Sequence, residues 1–117
     1  MEKVRALVAS IAPRAAFPGQ GLLTLAIFYY REVSAIDEDS RIFVTKEVYP
    51  QVSERVGCKL EAVEKAIYRA VEFCWSEGRN ERLNHVIGRR LPVKPSSSEI
   101  LLYCSYFLVK GKPYFSE

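Results

Sequence analysis

The chain has 117 residues, of which 49% are hydrophobic and 26% are charged. This length and composition fit one globular domain with a modest core, and they exclude an intrinsically disordered chain. Its 17 Lys and Arg residues against 14 Asp and Glu give a net charge of +3, which permits a polyanionic partner without requiring one. The longest apolar run, residues 22–30, is about half as long as a membrane span, and no signal peptide precedes it, so we expect a cytoplasmic protein.

The cysteines and the histidine argue against a metal site. Cys58, Cys74 and Cys104 are far apart and form no CxxC pair, and His85 is the only histidine. A structural zinc site needs four ligands at tight spacings. We therefore expect no metal or other cofactor, and we expect the three thiols to be free and buried in a reducing compartment.

Two helices are predicted in the first third of the chain. Apolar residues at helical spacing mark the first helix: Val4, Leu7, Val8 and Ile11. Pro13 ends this helix, and the segment Ala12–Gly21, with two prolines and two glycines, is predicted to be a loop. The second helix, Gly21–Ser34, is so apolar that we expect it to be central and buried on most sides. The acidic segment Asp37–Ser40 is interpreted as a connector, with a metal-binding cluster of its three carboxylates as the alternative.

Three more helices are predicted before residue 88. The third begins near Thr45, a suitable N-cap residue, and Pro50 either kinks this helix or marks its true first turn. The fourth runs from about Lys59 to Glu77 and stops at Gly78. A short fifth helix follows at Asn80–Ile87.

A sixth helix and an aromatic tail are predicted at the C-terminal end. Arg89–Pro95 is expected to be extended, and Ser96 with Glu99 offers a capping box that opens a last helix to Val109. The tail either closes the core or forms a dimer contact through four aromatic residues: Tyr106, Phe107, Tyr114 and Phe115. The pattern as a whole predicts an all-α, six-helix fold with no convincing strand.

The junction between helices three and four has the features of a helix-turn-helix. Gly57 follows helix three and can take the positive φ that a sharp turn requires. Ser53 is small enough for close approach of the second helix, and Val52 and Val56 lie on one face of the first. Cys58 and Leu60 are interpreted as the apolar residues of the turn. Cys58 occupies an N-cap-like place before helix four.

Helix four is the predicted recognition helix, which enters a major groove. Its inward stripe recurs at positions i, i+4, i+7 and i+11: Val63, Ile67, Ala70 and Cys74. Phe73 and Trp75, near the end of the helix, are also predicted to pack in the core.

The outward face of helix four is predicted to carry mixed charge. The residues that it presents are Glu61, Lys65, Tyr68, Arg69 and Glu72, with Ala62 at the edge. Lys65 and Arg69 can donate to guanine edges or phosphates, Tyr68 can stack or bind a phosphate, and Glu61 can accept from cytosine. Five cations that follow the helix are candidates for phosphate contacts: Arg79, Arg82, Arg89, Arg90 and Lys94. A solvated charged surface is the alternative for both sets.

Three segments in the same order resemble one known family. TKEVYPQVSERVG, VEKAIYRAVEFCWSEG and KPSSSEI are similar to the C-terminal DNA-binding domain of the sporulation-initiation response regulator of endospore-forming Firmicutes. The similarity extends roughly from Gly21 to Val109. The resemblance implies a six-helix domain whose third and fourth helices form the helix-turn-helix, sequence-specific DNA binding, control of transcription, and two domains in tandem on adjacent sites.

The resemblance also indicates where this chain departs from its family. Glu64 matches a glutamate of the family's recognition helix, whereas Lys65 replaces an arginine and cannot reproduce its bidentate fork. Four more departures fall on the DNA-facing surface, where the family has serine, arginine, arginine and histidine in turn: Glu61, Ala62, Tyr68 and Arg69. We therefore expect the fold to be kept and the target sequence to have changed.

These observations together predict one helix-turn-helix effector domain over residues 1–117, without the receiver domain that controls the family's activity. The chain is then a stand-alone effector or a fragment of a longer regulator. We expect a transcription regulator and not an enzyme, because no nucleophile–base pair, metal cluster or phosphate loop is evident. The expected partners are double-stranded DNA, a second copy in a homodimer or tandem dimer, and RNA polymerase. The alternative is a protein-interaction module that has lost specific DNA binding, which Glu61 and Ala62 favour.

Overall fold

The computed structural model describes residues 1–12, 19–36 and 42–115, and this part of the chain is helical with no strand. The α-helices of the described residues are α1 (Glu2–Ile11), α2 (Gly19–Ile36), α3 (Val44–Glu47), α4 (Tyr49–Val56), α5 (Leu60–Trp75), α6 (Glu81–Ile87) and α7 (Ser97–Lys110). A 3₁₀ turn, Ser76–Gly78, follows α5. Because α3 and α4 together occupy the predicted third helix, the all-α, six-helix architecture is confirmed. The predictions about Pro13 and Asp37–Ser40 lie outside the described residues.

Helix α2 is the centre of the fold, as its apolar composition predicts. It contacts α1, α3, α4, α5 and α7, and every helix contributes buried residues to one hydrophobic core. The helix begins two residues earlier than predicted, so the predicted loop is shorter at that end. At this point Gly19 packs against Ala70 of α5, and Gln20 Nε2 donates to the Ala12 carbonyl at 3.0 Å. The N-terminus of α2 is thereby joined to both α1 and α5.

The predicted third helix is broken at Val48, and its N-cap is Phe43, so the prediction of Thr45 as N-cap is wrong. Pro50 lies in the first turn of α4, which is one of the two alternatives predicted for it, the other being a kink within a longer helix. Proline has no N–H, and a helix needs no internal donor there. A helix that continued through this point would bring the proline ring against the carbonyl four residues earlier, which explains the break.

Asn80 joins three helix ends. Its Oδ1 accepts from the Leu83 backbone N–H at 3.1 Å and so caps α6, which begins one residue later than predicted. Its Nδ2 donates to the carbonyls of Ile11 and Cys74, at 2.6 and 2.8 Å, which are the last residue of α1 and a residue in the last turn of α5. One side chain therefore satisfies backbone groups that would otherwise lack partners at the ends of three helices.

The C-terminal residues fold back on the chain itself and help to close the core. The Phe115 backbone N–H donates to the Ile87 carbonyl at 2.9 Å, and the Arg89 guanidinium lies 4.1 Å from the centre of the Phe115 ring. Tyr114 packs against Tyr103 in α7. At Gly88, where φ is 103°, an added Cβ would lie 2.5 Å from the Phe115 carbonyl oxygen, so only glycine fits beneath this tail.

The predicted capping box at the start of α7 is confirmed. Ser96 Oγ accepts from the Glu99 N–H at 3.1 Å, and Glu99 Oε1 accepts from the Ser96 N–H at 3.0 Å. The helix ends at Lys110 and is capped by Gly111, a single residue in the left-handed conformation with φ 71°. Local hydrogen bonds therefore hold the start of α7, directly after the segment that carries Lys94.

Candidate nucleic-acid interface

The turn between α4 and α5 is closed by Gly57 and Ser53. Gly57 has φ 73° and ψ 26°, and its N–H donates to the Ser53 carbonyl at 2.9 Å. The Cys58 N–H donates to the same carbonyl at 3.3 Å, so one carbonyl accepts both bonds at this left-handed helix end. The Ser53 hydroxyl donates to the Cys58 carbonyl. Ser53 was predicted only to be small, but its hydroxyl also holds the turn together.

The two apolar residues predicted for the turn, Cys58 and Leu60, and Val56 at the end of the preceding helix lie at the surface. Val56 and Leu60 are 39% and 37% exposed, and Cys58 is exposed, so the prediction that all three thiols are buried is wrong. The N-cap of α5 is Lys59 and makes no side-chain capping bond, so the N-cap-like interpretation of Cys58 is also wrong. The short helix α4 reaches the core through Tyr49 and Val52, one turn earlier, which leaves its last turn in solvent.

The inward face of α5 agrees with the predicted stripe. All four residues are buried, and a fifth joins them: Val63, Ile67, Ala70, Cys74 and Val71. The helix packs on α2, α4 and α7. Burial raises the pKa of the Cys74 thiol to about 12, so this cysteine has the character of an apolar core residue and not of a nucleophile.

Helix α5 ends two residues earlier than predicted, because Ser76 and Glu77 both adopt left-handed backbone, with φ of 46° and 56°. Close to this end, Trp75 is partly buried against the core, as predicted. Phe73 is 47% exposed, so the prediction of core packing is wrong for this residue. At 100° per residue Phe73 lies beyond Arg69 on the solvent side of the helix.

The outward face of α5 presents the residues that the sequence places there: Glu61, Ala62, Lys65, Tyr68, Arg69 and Glu72, all exposed. Within the described part of the chain, neither Lys65 nor Arg69 forms a hydrogen bond, an ion pair or a ring contact. These two residues are four apart and therefore neighbours on the helix surface. Both charges are available to a ligand.

Glu64 lies at one edge of this face and is half-buried. Burial raises the pKa of Tyr49 in α4, and the negative charge of Glu64 raises it further. The residue that matches the family's glutamate is thus placed beside α4, at the boundary between the core and the outward face.

Lys94 crosses from the connection between α6 and α7 onto the outward face of α5. Its Nζ donates to Tyr68 Oη at 2.8 Å and to Glu72 Oε1 at 2.9 Å, and it lies 4.0 Å from the centre of the Tyr68 ring. The hydrogen bond with Lys94, and then one with Tyr68, lower the pKa of Glu72. The hydrogen bonds that Lys94 donates to Tyr68 and then to Glu72 raise the pKa of Lys94. We call these three residues the Lys94 cluster. The sequence indicates each residue separately, but no local pattern indicates that they meet.

The four other predicted cations lie at the surface with varied surroundings. Arg79 is 3.5 Å from Glu77, and Arg82 Nε donates to Ser10 Oγ at 3.1 Å while its guanidinium lies 5.7 Å from the centre of a ring, that of Phe107. Arg89 covers Phe115, as described above. Arg90 lies alongside Gly78, since its Nε is 3.1 Å from where a Cβ on that glycine would be. All four are exposed.

The described residues contain no group of three or more His, Cys, Asp or Glu side chains placed to hold a metal ion. Over residues 1–12, 19–36 and 42–115, no helix combines the length and the apolar character needed to span a bilayer. The fold and the face of α5 define a small all-α domain of the helix-turn-helix class.

The model of the family described as "Sporulation initiation factor Spo0A C terminal" matches residues 4–107, and the chain belongs to this family. The resemblance inferred from the sequence is therefore confirmed. The family is one of transcription factors and not of enzymes, and the chain is a DNA-binding effector domain of the sporulation response-regulator type. No solved structure matches the chain.

Proposed function

We propose that the chain binds double-stranded DNA with sequence specificity by docking α5 in the major groove. One observation carries this proposal: Lys65 and Arg69 are exposed, adjacent, and without a partner in the described part of the chain. An α-helix fits the major groove, and Lys and Arg side chains at its surface donate to the N7 and O6 atoms of guanine. The rigid turn at Gly57 sets the angle at which α5 is presented.

Other residues of the same face are assigned supporting roles. Tyr68 contacts a base or a phosphate at one edge of the helix, and Glu61 and Glu64 accept hydrogen bonds from the exocyclic amino group of cytosine. Phosphate contacts are proposed for the cations outside α5: Arg79, Arg82, Arg89, Arg90 and Lys94. Their contacts within the chain leave their positive charge in place, which is what attraction to the phosphate backbone requires.

Residues 1–117 are proposed to act as one effector unit. A second copy, in a homodimer or a tandem dimer on adjacent DNA sites, and RNA polymerase are the proposed protein partners. The family's role in transcription control supports this assembly.

Selection from a random double-stranded DNA library tests the proposal. We expect one motif to be enriched, and we expect affinity for this motif to fall about 10- to 100-fold between roughly 50 and 200 mM salt, because bound cations displace counterions from the phosphates. A shuffled version of the motif is the matched control and should bind more weakly at every salt concentration. Absence of enrichment, together with absence of binding at low salt, would contradict the proposal.

A protein-interaction module is the second candidate, and the exposed carboxylates of α5 favour it. Glu61 and Glu72 share the face with Lys65 and Arg69, and Phe73 is exposed at the far end. A face with both signs of charge and an exposed aromatic ring is also typical of protein interfaces. The library selection separates the two candidates, since this second function predicts no enriched DNA motif.

A further inference from the structure

We infer that Lys94 is a positioning residue for DNA reading, which holds Tyr68 in place and neutralises Glu72 on the outward face of α5. This inference rests on the proposed function and assigns Lys94 a different role from a simple phosphate contact. Lys94 acts through its two partners in α5, and it controls both the shape and the charge of the surface that meets DNA.

The geometry of the Lys94 cluster shows how the ammonium group is used. Of its three N–H donors, one is given to Tyr68 Oη and one to Glu72 Oε1, at 2.8 and 2.9 Å. The ammonium also lies against the Tyr68 ring, 4.0 Å from its centre. Hydrogen bonding at the hydroxyl and cation–π attraction at the ring act on the same tyrosine, so its side chain is held at both ends.

The backbone that carries Lys94 is anchored on both sides. Leu91 and Pro95 are buried, and Ser96 begins the capping box of α7. The Lys94 side chain itself is only 27% exposed. A side chain held in this way loses less conformational freedom on making its contacts than a lysine on an open surface does.

Lys94 also changes the balance of charge on the outward face. Within α5 the two exposed cations, Lys65 and Arg69, share this face with two exposed carboxylates, Glu61 and Glu72. The charge of Lys94, placed against Glu72 at 2.9 Å, offsets that carboxylate. Without it the Glu72 carboxylate would face the phosphate backbone unpaired, and like charges brought together at an interface oppose binding.

A double-mutant cycle on DNA affinity tests this inference, with the intact chain and the DNA motif enriched from the random library. The variants are Lys94→Met, Glu72→Gln, the two together, and Lys94→Arg as the conservative control. We expect Lys94→Met alone to weaken binding about five- to tenfold, which is the usual size of coupling between residues in contact. We expect the same change to cost clearly less when Glu72 is already Gln, because only the contact with Tyr68 is then lost, and we expect Lys94→Arg to retain most of the affinity.

Each result of this cycle distinguishes a positioning role of Lys94 from a direct contact with DNA. Partial restoration of affinity by Glu72→Gln supports the inference, because a residue that only stabilises the fold, or only contacts phosphate, would not be rescued by removal of a neighbouring charge. An equal loss in both backgrounds overturns the inference and makes Lys94 a direct DNA contact. Full binding by Lys94→Met also overturns it.

Two further measurements distinguish failure of the inference from misfolding of a variant and from failure of the proposed function. Thermal unfolding of each variant checks that all are folded; if Lys94→Met is unstable, Tyr68→Phe removes one of the two hydrogen bonds and should reproduce part of the loss. Failure of the unmodified chain to bind any DNA overturns the proposed function and the inference with it, whereas binding that is unaffected by the variants overturns the inference alone.

Discussion

The inward and the outward face of α5 are organised by different forces. Inward, Ile67 and its neighbours are buried among α2, α4 and α7. Outward, Lys65 and Arg69 are exposed, and Tyr68 is held by a lysine from another part of the chain. The inward face stabilises the fold through apolar burial, which needs only the right residues at the right spacing. The outward face depends on polar contacts, which need particular partners at particular distances, and it is therefore the face on which function can change while the fold is retained.

Ile67→Ala should have the largest effect, and it acts on stability. Ile67 is fully buried, so the change leaves a cavity in the middle of the core. We expect the free energy of unfolding, measured by urea denaturation, to fall by about 2–5 kcal/mol. Lys65→Ala, two residues earlier and on the outward face, is the control and should change this free energy by less than about 0.5 kcal/mol. Similar losses for the two variants would remove the distinction between the faces.

Arg69→Ala should have the next largest effect, and it acts on binding. Loss of its contacts to a base or a phosphate is expected to weaken specific DNA binding by about 1–3 kcal/mol, with the free energy of unfolding unchanged. Lys3→Ala, which removes an exposed cation from α1, is the control for net charge. Binding titrations with the selected DNA motif measure both variants. Equal affinity of the Arg69 variant and the unmodified chain would place Arg69 outside the interface.

Gly57→Ala should have a smaller effect, and it tests the turn that joins α4 to α5 and so positions both faces of α5. A Cβ at Gly57 meets nothing within 4 Å, so any cost comes from the φ of 73° and not from a clash. We expect the free energy of unfolding to fall by about 1–2 kcal/mol. Gly21→Ala is the matched control, because its Cβ is also unobstructed but its backbone is helical; it should be neutral or stabilising by up to about 1 kcal/mol. Equal effects of the two substitutions would show that the backbone of the turn is unstrained.

The pH dependence of the Lys94 cluster should give the smallest effect. Because the pKa of Glu72 is lowered from 4.5, its contribution to stability is present above that pH and is lost as the pH falls through the lowered value. Because the pKa of Lys94 is raised from 10.5, its contribution is present below that pH and is lost as the pH rises through the raised value. The difference in thermal midpoint between the unmodified chain and Glu72→Gln should therefore be greatest between roughly pH 5 and pH 10 and should vanish in acid. A difference that is constant with pH would mean that the ion pair does not stabilise the fold.

Two mistaken expectations about burial share one physical origin. Val56 lies on the same face of its helix as Val52, yet Val56 is exposed because α4 is short and only its first part reaches the core. Phe73 is an aromatic residue in an apolar segment, yet it is exposed because its angular position lies on the solvent side of α5. Spacing along a helix tells which residues share a face, but it does not tell how far the neighbouring helices extend over that face.

Short-range interactions made much of the fold readable from the sequence. The turn at Gly57, the capping box of Ser96 with Glu99 and the inward stripe of α5 all involve residues that are neighbours within a few positions or one helix. The order of motifs was also enough to identify the family, and with it DNA binding as the role of the domain. These features depend on backbone hydrogen bonds and on burial of apolar residues, both of which leave regular patterns in a sequence.

Only the tertiary structure decided the contacts between distant segments. Lys94 meets Tyr68 across 26 positions, Asn80 meets the end of α1 across 69, and Arg82 meets Ser10 across 72. Each depends on how whole helices pack, and a polar side chain finds its partner only after that packing has set the distance. The sequence by itself therefore determined the class of domain and the helix that we propose to face DNA. The packing of α5 with the connection between α6 and α7 decided which of its charges remain open to a ligand.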